Sequence, residues 1–364
     1  MNSKKPVKIV FIIPSLQSGG MERVMSQLLF YFSKHSNCEL HVILYGIDRG
    51  IFYDIPTNVV LHQPSFKFNN KLRLWSTLKT LFYIRKTFKK IKPYSILSFG
   101  EYWNNFVLLA SLGLSLPVYV SDRSQPNKSL GKLHDFLRKC FYRYAKGVIA
   151  QTSKAKSIYE AGLVNNLNIK VIGNPIAQQE LVTTPREKIV LSVGRLIETK
   201  HHDELIKLFV KLNKPDWKLI IVGGDALRQN NMETLNKLIT SLNAQNIVTL
   251  SGNQKDIASY YKKSSIFAFT SSSEGFPNVV GEALSFGLPV VAFDCIAGPS
   301  DMIQESKNGN LIKLFDYKEF ADKLSLLIDD TKLRNKMTEF APSSIKKFEN
   351  NVISREYFKF ITQH

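Results

Sequence analysis

Residues 7–16 read VKIVFIIPSL, a run in which apolar side chains follow one another instead of alternating. A strand with one face in water alternates, whereas a continuous run fits a strand buried on both faces of a parallel sheet. QSGG then turns the chain into MERVMSQLLFYFSK, whose apolar spacing is helical. ELHVILYG reads as a second strand, and SILSF (95–99), VYVS (118–121), GVIAQ (147–151) and IKVI (169–172) follow, with helical stretches between several of them. This alternation predicts parallel strands joined by crossover helices, a doubly wound α/β domain.

Near Gly173-Asn174-Pro175 the rhythm breaks, and a polar stretch through TTPREK leads to a fresh start. KIVLSVG, KLIIVGG, NIVTLSG, SIFAFT and LPVVAFD then recur as strands, with helical segments such as DELIKLFVKL between them. A chain of 364 residues exceeds what one core usually serves. The expectation is two open α/β units: residues 1–175, a linker near 173–186, and residues 186–349. Ligands of such sheets bind beyond the carboxyl ends of the strands, so two facing sheets would hold one in the cleft between them.

Composition excludes several classes. Hydrophobic content of 44% belongs to a globular chain. Cys38, Cys140 and Cys295 are far apart and form no CxxC, which argues against a disulfide framework or a zinc site and for a reducing compartment. Lys4, Lys5 and Lys8 precede an apolar run too short, and too soon broken by Pro14, to be a secretory signal. The uncharged stretch 102–121 could span a bilayer by length, but Asn104, Asn105, Gly113 and Pro117 suit a buried helix followed by a strand better. Charge is uneven: residues 1–180 hold 25 Lys+Arg against 9 Asp+Glu, and the remainder 24 against 21. One strongly cationic half points to a polyanionic partner, whether nucleic acid, anionic membrane or phosphorylated substrate.

Three places carry candidate chemistry. Gly19-Gly20 follows the first strand and opens a helix, where backbone amides can approach an anion. In SVGRLIETKHHDELI, Arg195 and Lys200 lie just past a strand, placed to clamp phosphates. In SSSEGFPNVVGEAL (271–284), Pro277 suits the first turn of a helix, Glu274 sits in the preceding loop, and Glu282 projects from the second turn. Free amides near 276–278 would lie between the two glutamates and face a ligand. Amides for a diphosphate and carboxylates for sugar or ribose hydroxyls together describe a nucleotide-sugar site. No companion His stands in the stretch to make the glutamates an acid/base pair.

GGMER, GRLIETK and EGFPNVVGEAL, in this order, resemble the retaining glycosyltransferases of family 4, whose fold is GT-B: two Rossmann-like doubly wound domains facing across a cleft. The closing segment SIKKFENNVISREYFKFI resembles that family's last helix, which would return residues 350–364 to the first domain. The resemblance implies an acceptor-binding first domain and a nucleotide-sugar-binding second one. It implies that Arg195 and Lys200 bind the donor diphosphate, Glu274 the sugar hydroxyls and Glu282 the ribose. Gly275 and the amides of Phe276, Asn278 and Val279 would face phosphates or sugar, Gly19 and Gly20 would close from the other domain, and Asn253 falls where the base is usually held. Asn174 joins the substrate-binding candidates. Many relatives carry a His after the strand matching PVYVS; here SDRSQPN offers Asp122 and Arg123 as the nearest matches. SDRSQP and CIAGPSDMI resemble the subgroup that builds lipid-linked oligosaccharides and cell-surface polysaccharides.

The implied reaction moves a hexose or N-acetylhexosamine, UDP-GalNAc or UDP-Gal favoured, onto a lipid-linked acceptor of polyprenyl diphosphate or lipid A type. No DxD-type pair flanks a suitable strand, so no metal and no cofactor beyond the UDP-sugar is expected. The resemblance implies retention; same-face attack, with the departing phosphate accepting the acceptor proton, would need no protein nucleophile. Catalysis would rest on Glu274, Arg195 and Lys200.

The segment 67–92 holds nine Lys+Arg and no acid, with Leu74, Trp75, Leu78, Leu81 and Phe82 at helical spacing. It reads either as a basic amphipathic helix that lies on an anionic bilayer or grips a lipid diphosphate, or as a solvated helix packed by one face. The first reading places the protein in the cytoplasm, peripheral on the inner face of the cell membrane. A nucleic-acid binder, which would leave EGFPNVVGE unexplained, and a GT-B hydrolase or epimerase acting on a UDP-sugar are the alternatives.

Overall fold

A computed structural model describes residues 6–363 apart from 18, 36, 48–49, 164–166, 180–184 and 227–228. Lys4, Lys5 and part of the expected linker lie outside the described residues. The chain divides into two compact units, Met1–Pro175 with Asn350–His364, and Ile176–Glu349.

The first unit is one seven-stranded sheet. Its strands are β1 (Val7–Ile13), β2 (Cys38–Leu44), β3 (Val60–His62), β4 (Ser95–Phe99), β5 (Val118–Ser121), β6 (Gly147–Ala150) and β7 (Ile169–Val171). They lie in the order β3-β2-β1-β4-β5-β6-β7, and every pairing is parallel. Residues Ile9 to Ile13 are all fully buried, so the run in VKIVFII is apolar because both faces of β1 are covered.

The second unit repeats the plan with β8 (Ile189–Val193), β9 (Lys218–Val222), β10 (Val248–Leu250), β11 (Ile266–Phe269), β12 (Val290–Phe293) and β13 (Gly309–Ile312). Their order is β10-β9-β8-β11-β12-β13, again all parallel. Eleven of these strands stand out in the sequence as apolar runs, and β3 and β13 do not. Both are short and stand at sheet edges, where no long apolar run is required. Arg186, just before β8, donates to the carbonyls of Tyr261 (3.1 Å) and Ser264 (2.8 Å), which close one helix, and to that of Phe286, which closes another.

Beneath the carboxyl end of β5 the first unit holds a buried polar network. Asp122, 3% exposed, accepts from Arg138, from the Tyr142 hydroxyl and from Asn104 Nδ2 at 2.9 Å. Asn104 in turn accepts from Ser98 at 2.7 Å. Burial alone would lower the Arg138 pKa, but the Asp122 charge overrides it and raises it. Burial also pushes Tyr142 well above an ordinary phenol.

Arg123 makes the neighbouring staple. Its guanidinium lies 3.5 Å over the Phe99 ring and donates to Asn174 Oδ1 (2.7 Å) and to the Tyr357 hydroxyl (3.1 Å). Tyr357 belongs to the helix Asn350–Thr362, which also packs Phe358 on His35 and Phe360 on Tyr119. The last helix therefore joins the first unit through Arg123, three aromatic rings and the ion pair of its Glu356 with Lys170 of β7 at 2.6 Å.

Removing one partner of a buried ion pair strands the other charge. Asp122→Ala is expected to lower unfolding stability by about 3–5 kcal/mol, measured by urea denaturation. Asp122→Leu combined with Arg138→Met should recover much of that loss, because no unpaired charge remains.

Candidate functional site

In a doubly wound sheet, neighbouring strands whose crossovers depart to opposite sides leave a crevice between their exit loops. In the second unit those strands are β8 and β11, so the loops after Val193 and Phe269 form the crevice. The two exits are sutured together. Ser272 N–H donates to Thr199 O (2.8 Å), Thr270 Oγ1 to Lys200 O (2.7 Å), and Ser271 Oγ to Thr199 O (3.2 Å). His201, held in a left-handed backbone conformation (φ 50°), bonds through its ring to Ser272 Oγ at 2.9 Å. These bonds fix the register of one loop against the other.

The suture brings the predicted charges together. Lys200 Nζ forms a salt bridge with Glu274, both side chains about 15% exposed. The Lys200 stem passes over Gly194, where an added Cβ would lie 3.2 Å from Lys200 Cε. Arg195 is exposed in the same loop. Gly223, at φ +148°, packs so closely that its Cβ would fall 1.9 Å from Gly194 O, so the β9 exit can be built only with glycine there. Asn253 sits beside it: its amide would meet a Cβ on Gly224 at 2.5 Å.

The helix after the glutamate loop runs Asn278–Ser285, with Pro277 as its N-cap. The expectation of free amides at 276–278 needs correction. Pro277 has no N–H, and Asn278 N–H donates to Phe276 O at 2.9 Å, closing the turn. Asn278 therefore does not offer its amide. Phe276 and Val279 bracket that turn at the start of an eight-residue helix, where first-turn N–H groups lack intrahelical acceptors. Glu282, half-buried, accepts from the Tyr261 hydroxyl at 3.2 Å, and Tyr261 is stacked on Phe286 with centroids 5.2 Å apart. Tyr261 thus orients the second glutamate.

In the second unit, Arg195, Lys200, Asn253, Glu274, Gly275, Phe276, Asn278, Val279 and Glu282 all lie on loops or a helix start at the carboxyl edge of the sheet. In the first unit, Gly19 and Gly20 stand where β1 passes into the helix Gly20–Phe32, at the corresponding β1/β4 switch. Asp122, Arg123 and Asn174 follow β5 and β7. The Asp122 carboxylate is taken up by Arg138, Tyr142 and Asn104, and Arg123 and Asn174 bond to each other. All three support the sheet edge.

Sequence reasoning missed Thr199, Thr270 and Ser272, although Ser/Thr clustering after SIFAF was a visible sign of side chains bonding a neighbouring loop. It also missed His202. This imidazole is 4% exposed under the Arg195–Lys200 loop, and burial, aided by the Lys200 charge, lowers its pKa to about 4. Cys295 is buried too, its thiol pushed up to about 12 by burial and by Glu274. It is therefore a neutral neighbour of the salt bridge.

Residues 174–344 match the family model described as Glycosyl transferases group 1. The chain is a glycosyltransferase. Along nearly its whole length this glycosyltransferase is similar to two bacterial enzymes. One is the GalNAc-alpha-(1->4)-GalNAc-alpha-(1->3)-diNAcBac-PP-undecaprenol alpha-1,4-N-acetyl-D-galactosaminyltransferase of Campylobacter jejuni, 27% identical, covering 98% of this chain and 99% of that one. The other is the amylovoran biosynthesis glycosyltransferase AmsD of Erwinia amylovora, 26% identical over 95% and 99%. Among solved structures, the lipopolysaccharide outer core galactosyltransferase WaaB superposes with a TM-score of 0.80 at 22% identity, covering 97% and 98% of the two chains. Anabaena HepE in complex with UDP does so with 0.81 at 19%, covering 98% and 100%. These likenesses show the GT-B fold.

His202 makes stability depend on pH. Its folded pKa is depressed, so its contribution is complete above the ordinary histidine value and fades as pH falls toward about 4. The glycosyltransferase should lose on the order of 3 kcal/mol from this group between pH 7 and pH 4. In thermal melts over that range, His202→Gln should show a visibly flatter decline than the wild type.

Proposed function

We propose that this glycosyltransferase moves a hexose or N-acetylhexosamine from a UDP-sugar, UDP-GalNAc or UDP-Gal favoured, to a lipid-linked saccharide during assembly of a surface polysaccharide, lipopolysaccharide or glycan. The observation that carries the donor reading is the sutured β8/β11 crevice. It gathers two cations, Arg195 and Lys200, and two oriented carboxylates, Glu274 and Glu282, at one sheet edge. The names of similar enzymes support the acceptor class: the Campylobacter enzyme's substrate is an undecaprenyl diphosphate saccharide.

In this reading Arg195 and Lys200 meet the diphosphate, and the start of helix Asn278–Ser285 adds its positive end. As the glycosidic bond breaks, negative charge grows on the leaving UDP, and fixed cations stabilise it more than they stabilise the bound donor. Glu282, steadied by Tyr261, takes the ribose hydroxyls. Glu274 takes sugar hydroxyls while its salt bridge fixes the Lys200 ammonium, so donor recognition and leaving-group stabilisation share one ion pair. Retention follows from same-face attack, with the departing phosphate accepting the acceptor proton; metal is not required, and the protein works peripherally at the inner face of the membrane through segment 67–92.

A thermal-shift screen of nucleotide sugars tests the donor, because a ligand bound only by the folded chain raises its apparent stability. One UDP-sugar should stand out, and Arg195→Ala and Glu282→Ala should each weaken it about 10- to 100-fold, the loss of one charge-assisted contact. If both variants bind the donor like the wild type, the site assignment is wrong. Glu274→Gln should lower kcat about 10²- to 10³-fold with a smaller effect on donor affinity. Incubation with an undecaprenyl diphosphate saccharide should lengthen it by one sugar in chelator; release of free sugar alone would instead mark a hydrolase.

A further inference from the structure

Segment 67–92 folds as a short turn and the helix Arg73–Ile91; Leu81 of its apolar stripe packs against the core, and the rest of the stripe faces away from the sheet. Ser76, Ile84, Thr87, Phe88 and Ile91 are buried, while Leu74 is 77% exposed, Trp75 57% and Phe82 73%. At 100° per residue the two sets lie on opposing sides of the cylinder. The helix is thus packed by one face, and Leu74, Trp75 and Phe82 of the stripe stand off that face.

The helix Lys132–Phe141 is arranged in the same way. Its one fully buried residue is Arg138, the partner of Asp122, while Leu133 and Phe136 stand 66% and 63% exposed on the other side. A charge points inward and two large hydrophobes outward, the reverse of a water-facing helix. Both helices flank the helix Glu101–Ser111: Arg85 donates to Ala110 O (2.9 Å) and Leu112 O (2.7 Å) on one side. On the other, Asn105 Nδ2 reaches His134 O and Tyr102 meets the His134 ring at 5.0 Å. Of the large hydrophobics exposed among the described residues, only Phe315 and Leu326 belong to the second unit.

We infer that the helix Lys132–Phe141 is a second bilayer-inserting element, and that with the helix Arg73–Ile91 it forms one docking surface for an anionic phospholipid membrane. Charge complementarity selects this occupant. Lys79, Lys86 and Lys89 border the first stripe and Lys132 and Lys139 the second, while Asp135, the one acid of the second helix, is spent on Ser129 and the Leu130 amide. Apolar side chains ringed by lysines match a headgroup layer above acyl chains. The buried Arg138–Asp122 pair ties the inserting helix to the loop after β5, so the lipid-facing side and the sheet edge move as one body.

Vesicle sedimentation with the full chain, without donor or acceptor, tests this independently of the transfer reaction. The wild type should bind vesicles containing phosphatidylglycerol and not pure phosphatidylcholine, and brominated lipid should quench Trp75 in a Trp103→Phe, Trp217→Phe background. Leu133→Ser with Phe136→Ser should weaken binding about tenfold or more, as should Leu74→Ser with Phe82→Ser. All four substituted sites are exposed, and unchanged thermal melts confirm folding. Wild-type vesicle affinity in Leu133→Ser/Phe136→Ser overturns the second element. A concentration-dependent dimer of the wild type that these substitutions dissolve, or equal binding to neutral vesicles, overturns the anionic membrane as occupant.

Discussion

Every strand in both sheets runs parallel to its neighbours, so each must be joined to the next by a crossover that covers a face of the sheet. With both faces covered, the strand ends are the places where side chains can converge on a ligand. The order β10-β9-β8-β11-β12-β13 sets the crevice between β8 and β11, and the cations and carboxylates of the second unit gather there. The hydroxyls of Thr270 and Ser271 then convert two adjacent loops into one platform. Without that suture, Lys200 and Glu274, 74 positions apart, would have no fixed relation.

Close approach is the second constraint. Gly194 and Gly223 allow backbone to lie against backbone and against the Lys200 stem, which brings the β8 and β9 exits to the same level. The polar groups this exposes are oriented by residues that touch no ligand in the proposed reaction: Tyr261 for Glu282, and the Thr199 carbonyl and the His201 ring for the serine loop. Precision at the site thus comes from packing one layer further in.

Both sheets were legible in the sequence because strands buried on both faces must be uninterrupted apolar runs, and VKIVFII, KIVLSV and SIFAF satisfy that plainly. The edge strands β3 and β13 were not, since an edge needs little apolar sequence. Arg195, Lys200, Glu274 and Glu282 could be placed from their positions after strands, but the Lys200–Glu274 bridge is a long-range contact that no local pattern reveals. Asn278 misled because its amide closes a turn with Phe276, a detail of dihedral angles and not of residue type. The ion pair of Asp122 with Arg138 was hidden in the same way, because it depends on a helix that turns an arginine inward.

Arg186 has a practical bearing on taking the protein apart. It precedes β8 in a stretch that reads as linker, yet its guanidinium gathers the closing carbonyls of two helices, one of which begins at the glutamate loop. A fragment of the second unit begun at residue 187 would keep every strand and every charged residue of the crevice. It would nonetheless leave Tyr261, Ser264 and Phe286 with carbonyls facing no donor. The excision point for an independently expressed second unit therefore lies upstream of Arg186.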